Sequence, residues 1–113
     1  MPTALTLPTR LLCILLALLP CLSQANPPSP ERQRILTHLL RQECGSCHGL
    51  KLDGGLGPAL THSALTGRTI EQLAHVILQG RPGTAMPGWQ AFIQPAEALW
   101  LADLLLNPPS GQP

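Results

Sequence analysis

The sequence predicts an all-α domain of three helices joined by two long loops. Apolar residues recur at helical spacing in three separate stretches, each stretch carries its own start and stop residues, and none alternates apolar with polar residues as a strand would. The first helix is expected over Glu31–Glu43. Ser29 supplies an N-cap, Pro30 suits the first helical position, Glu31 complements the dipole, and Ile35, Leu36, Leu39 and Leu40 form one apolar face. The second fits Ile70–Gln79. Thr69 and Gln72 make a capping box, Gly80 is a C-terminal stop, and Ile70, Leu73, Ala74, Ile77 and Leu78 share a face. The third fits Pro95–Leu106, opened by Pro95 and ended by Asn107-Pro108-Pro109, with Leu101, Leu104 and Leu105 as its stripe and Trp100 beside them. Glycines and prolines make 45–67 and 81–94 read as loops, with room for one helical turn at Thr61–Leu65. Loops this long in a compact domain are functional or wrapped round something.

Domain limits follow from local composition. Residues 1–25 have the layout of a secretory signal peptide: Arg10, the apolar run Leu11–Leu19, then small residues at Ser23 and Ala25. The run is too short to span a bilayer core of roughly 30 Å, so no stable membrane span is expected after cleavage. An uncleaved anchor and lipid attachment at Cys21 are the alternatives, and Pro20 just before Cys21 argues against lipidation. Residues 26–30 form a proline-rich spacer, 31–107 the folded domain, and 108–113 a flexible tail. From Asn26 onward basic and acidic side chains balance, and no basic run exists, so nucleic acid is not an expected partner. Cys44 and Cys47 are the cysteines of this part, too close together for a disulfide framework. With one Phe, two Trp and no Tyr, the chain has little core material, and domains this small commonly need a staple or a cofactor.

Cys44-Gly45-Ser46-Cys47-His48 supplies that cofactor. Cys-x-x-Cys-His is the attachment motif of c-type haem. Two thiols add to the two vinyl groups of haem as thioethers, and the adjacent His48 imidazole becomes the proximal iron ligand. A thioredoxin-like redox pair would need a βαβ surrounding, and zinc would need further paired ligands, which His62 and His75 do not offer. An export signal agrees with haem, which is attached outside the bacterial cytoplasm. Met86 is the methionine of the Gly/Pro loop Thr84-Ala85-Met86-Pro87-Gly88-Trp89 and is the candidate distal ligand. A Met/His pair raises the reduction potential of haem iron. His62 is the rival for that position, whereas His38 and His75 sit on helices as solvated or capping side chains.

From Glu31 to Leu106 the chain resembles the class I cytochromes c. The resemblance implies that Pro58, in Gly57-Pro58-Ala59-Leu60, packs on His48 and accepts its N–H through the Pro58 carbonyl, which would orient the ring and raise its basicity. It also implies a near-perpendicular packing of an aromatic in the last helix, here Trp100, on the first helix. The first helix departs from the family's frequent Gly/Phe pair, offering Ile35, Leu36, Leu39 and Leu40 instead. The stretches Cys47–Leu60 and Gly80-Arg81-Pro82-Gly83-Thr84-Ala85-Met86-Pro87 resemble, more narrowly, the small periplasmic monohaem cytochromes encoded with the haem c/haem d nitrite reductase of denitrifying bacteria. That implies a monomeric periplasmic electron carrier, not an enzyme, cycling Fe(III)/Fe(II). Its partners would be the nitrite reductase and an upstream electron donor. A role in maturing the haem d of that reductase is the alternative. A small haem peroxidase is a third reading, disfavoured because Met86 would fill the iron position.

Overall fold

A computed structural model describes residues 26–110; the expected signal peptide, 1–25, and the end of the expected tail, 111–113, lie outside the described residues. Helix α1 spans Pro30–Leu39 and runs without a break through a π-helical turn, Leu40–Cys44, into α2, Gly45–His48. Helix α3 spans Ile70–Gln79 and α4 spans Pro95–Leu106. There is no strand among the described residues. The turn allowed at Thr61–Leu65 is present, closed by Leu65 N–H donating to Thr61 O at 3.0 Å.

The helix ends follow the sequence signals. Ser29 Oγ accepts from Arg32 N–H at 3.3 Å with Pro30 in the first turn, and Thr69 and Gln72 exchange both bonds of their capping box. The first helix, however, does not end near Glu43. Gly45 adopts ordinary right-handed helical angles (φ −61, ψ −26), so the helix continues through the cysteine motif and stops at Gly49, whose φ of 89 ends it. The motif expected in a loop is therefore helical.

One core is shared by the first helix, α3 and α4. Leu36 and Leu40 belong to a buried cluster with Ala74 of α3 and Ala98, Leu101, Ala102 and Leu105 of α4, with Leu65 and Ile93 contributed by the loops. Leu36, Ala98 and Ala102 are completely buried. The small residues that let helices approach closely thus stand on α4, at positions 98 and 102, rather than on the first helix. Ile35, expected on the apolar face, is instead 49 % exposed. A second tie links the helix starts. Arg32 Nε and Nη2 fork onto Glu97 Oε1 and Oε2 at 2.6 and 3.0 Å, and Nη2 also donates to Phe92 O at 3.1 Å. Glu97 Oε2 in turn accepts Gln94 N–H at 2.8 Å, completing the cap of α4. The Arg32 hydrogen bonds hold the Glu97 carboxyl below its ordinary range.

Candidate functional site

The end of the α1–α2 helix assembles the cysteines and His48. Gly45 N–H donates to Leu40 O, a five-residue spacing that widens the helix just before the motif. Cys44 is half-buried and Cys47 exposed, and both are free thiols. Burial pushes the Cys44 thiol up to about 11. His48 is 8 % exposed, and its Nδ1 lies 2.6 Å from Pro58 O. A carbonyl only accepts, so Nδ1 is the donor in this contact, which leaves Nε2 as the ring nitrogen available to a metal.

The following loop is folded onto this helix end. Cys47 O accepts Gly57 N–H and His48 O accepts Gly54 N–H, both at 2.8 Å, which satisfies two of the carbonyls that a helix C-terminus leaves open. Gly57 is pressed against the imidazole: a Cβ there would stand 2.9 Å from both Cε1 and Nδ1 of His48. Leu52 sits in the left-handed region with φ 59, a strained conformation for a leucine, while its N–H and C=O are both bonded within the loop.

Met86 lies in a loop closed by its own backbone. Arg81 N–H donates to Met86 O at 3.1 Å, Met86 N–H donates to Thr84 Oγ1 at 3.3 Å, and Thr84 Oγ1 donates to Arg81 O at 2.7 Å. The loop is also laid against the end of α3. Trp89 N–H donates to Ile77 O at 3.0 Å, and a Cβ on Gly88 would stand 2.6 Å from Leu78 O. Met86 is half-buried. His62 goes elsewhere, its Nδ1 lying 2.6 Å from Leu106 O at the end of α4. Trp89 pairs with Phe92, ring centroids 6.1 Å apart and inclined at 60°. Trp100, on α4, lines a shallow hollow together with Gln33, Arg34 and Thr37 of α1.

These residues fit a covalently held haem. Two unpaired thiols lie on one helical turn, the next residue presents an imidazole oriented by Pro58 O, and Leu52, Leu60, Leu73, Ile77 and Leu78 are apolar side chains that the polypeptide covers only in part. Sequence reasoning missed Gly57 and Gly88. Their signal was a glycine in each segment, and the backbone contact that requires it is visible only in three dimensions.

A helical fold with no strand among the described residues, its first helix ending in a turn that carries two thiols and an imidazole, is the arrangement of a c-type cytochrome. The family described as cytochrome C oxidase, cbb3-type, subunit III matches residues 31–105, and the chain belongs to this c-type cytochrome family. It is similar to cytochrome c55X of Paracoccus denitrificans, 54% identical over 96 residues that cover 85% of this chain and 93% of the relative. It is also similar to the solved structure of the c-type cytochrome NirC, with 53% identity and a TM-score of 0.68 over 70% of this chain and 93% of that one. A third similarity is to one part of a longer protein, dihydro-heme d1 dehydrogenase NirN in complex with DHE. There the identity is 38% and the TM-score 0.61, over 68% of this chain and 16% of that one. The chain is accordingly a monohaem electron-transfer cytochrome with covalently bound haem c, an electron carrier and not an enzyme. No helix among the described residues is long and apolar enough to cross a membrane.

Proposed function

We propose that the chain is a periplasmic electron carrier that donates to the haem c/haem d nitrite reductase of denitrification. In this reading Cys44 and Cys47 would form the two thioethers, His48 Nε2 would be the proximal and Met86 Sδ the distal iron ligand, and Pro58 orients His48. Such a haem would supply one-electron Fe(III)/Fe(II) exchange, and Cys44, Cys47, His48 and Met86 are the residues that would hold it. The observation that carries the ligand assignment is the buried His48 ring with Nδ1 2.6 Å from Pro58 O, a contact that orients the imidazole and leaves Nε2 for iron. The similarity to cytochrome c55X and NirC supports the place in denitrification. Met86→Ala tests the distal ligand. The oxidised holoprotein should lose the weak near-infrared band of Fe(III)–Met bonding and its potential should fall; an unchanged band and potential would reject Met86. Stopped-flow mixing of the reduced cytochrome with the oxidised reductase tests the partner, and electron transfer no faster than with an unrelated cytochrome would reject it.

A second reading has its own support. The chain is 39% identical over 75 residues to part of the dihydro-heme d1 dehydrogenase of Pseudomonas aeruginosa. In that reading the cytochrome accepts electrons during maturation of haem d. Deleting the gene and measuring the haem d content of the reductase separates the two: maturation predicts depleted haem d, whereas donation predicts a fully loaded reductase starved of electrons.

A further inference from the structure

The cysteine motif and the Met86 loop leave one concave surface unused. Arg34, His38 and Arg41, spaced along one face of the α1–α2 helix, line a shallow hollow of about 490 Å³ whose apolar side is made by Trp100, Leu104 and Pro109. No Asp or Glu lines it, nor do Cys44, Cys47, His48, Pro58 or Met86. Among the described residues the ion pair present is Arg32–Glu97, so Arg34 and Arg41 face the hollow with no carboxylate partner. Charge in a chain whose ionised side chains otherwise balance is here collected on one face, beside a partly buried tryptophan.

We propose that this hollow docks an acidic segment of a partner protein, with carboxylates on Arg34 and Arg41 and an apolar side chain against Trp100 and Leu104. The site is too open to dehydrate a small free anion, which would stay hydrated and screened by salt. A protein segment laid across it excludes water, and that is the setting in which paired Arg–carboxylate contacts and a tryptophan anchor bind. A flat bilayer would touch the basic rim without reaching the concave apolar floor. The proposal goes beyond the electron-carrier assignment and does not depend on which reductase is served. A contact separate from the haem-bearing residues would raise the cytochrome's effective concentration beside a partner.

The test uses ¹⁵N-labelled holocytochrome and, as probe, a synthetic peptide of glutamates flanking one leucine and one phenylalanine. At low salt, peptide addition should shift the Trp100 indole N–H and the amides around Arg34, His38 and Arg41. Affinity should fall by about tenfold or more in the Arg34→Glu/Arg41→Glu variant and should also fall with added salt. Both arginines are exposed, so the variant should keep its haem spectrum and melting temperature. A matched peptide with lysine for glutamate should not bind. Shifts centred on Cys47, unchanged affinity in the double variant, or no shifts at all would each overturn the proposal. Binding to phosphatidylglycerol vesicles that the same variant abolishes, with no peptide response, would assign the hollow to a lipid surface and overturn it equally.

Discussion

Gly57→Ala tests whether the backbone around His48 sets the electronic character of the proximal ligand. An alanine Cβ would stand 2.9 Å from His48 Cε1 and Nδ1, where ordinary contact begins at 3.4 Å. The imidazole or the loop must therefore give by about 0.5 Å, and a hydrogen bond of 2.6 Å to Pro58 O would lengthen to roughly 3.1 Å, the weak end of the useful range. A hydrogen bond of this kind contributes about 0.5–1.5 kcal/mol net. The interaction makes the ring a stronger donor and favours Fe(III) over Fe(II). If roughly 0.5–1 kcal/mol of that difference is lost, the potential should rise by about 20–40 mV, taking 59 mV per tenfold for one electron. Spectroelectrochemical titration of the purified holovariant measures this directly. A potential unchanged to within a few millivolts, or a lower one, would show that Pro58 does not tune His48 through this contact.

Leu36→Ala removes a completely buried leucine from the contact of α1 with α4 and should cost about 2–5 kcal/mol, seen as a large fall in the melting temperature of the holoprotein; a loss under about 1 kcal/mol would mean the core is not packed as described. The Arg32 fork depresses the folded Glu97 carboxyl, so its stabilisation is present above the ordinary glutamate range and is lost as pH falls through the lower folded value. Glu97→Gln should flatten that acid limb in denaturant titrations between neutral and acid pH, and an identical acid limb in the variant would refute the linkage. Replacing Cys44 and Cys47 together by serine should leave a chain with little cooperative unfolding by circular dichroism, because the core is small; a sharp thermal transition would contradict that.

Local signals in the sequence carried most of the architecture. Helices α3 and α4 were legible to the residue, because a capping box, a terminal glycine and a first-turn proline act on neighbouring backbone. The first helix was legible at its start and not at its end. Gly45 reads as a breaker by composition, yet its backbone is helical, and the residue that stops the helix is Gly49. The motif could be read because its chemistry lies within five consecutive residues. The resemblance implied the contact of Pro58 with His48, and the structure has their atoms 2.6 Å apart. Long-range features gave no local sign. Arg32 and Glu97 are 65 positions apart, Ile93 is core material within a loop, and Ile35 lies outside the face that a regular helical pattern assigns it.

The π-helical turn at Leu40–Cys44 alters the rotational phase of everything after it. An α-helix turns about 100° per residue, and one extra residue in a turn leaves later side chains rotated by about that much from where a regular helical wheel would put them. Leu36 lies in the core ahead of the turn, and the positions of Cys44, Cys47 and His48 carry the added rotation. The same rod can therefore pack against α4 with one side and present two thiols and an imidazole in a direction that the packing side does not dictate. A chain shortened by one residue within 40–44 would make a more regular helix, and it would aim the cysteines away from the loop that now embraces His48.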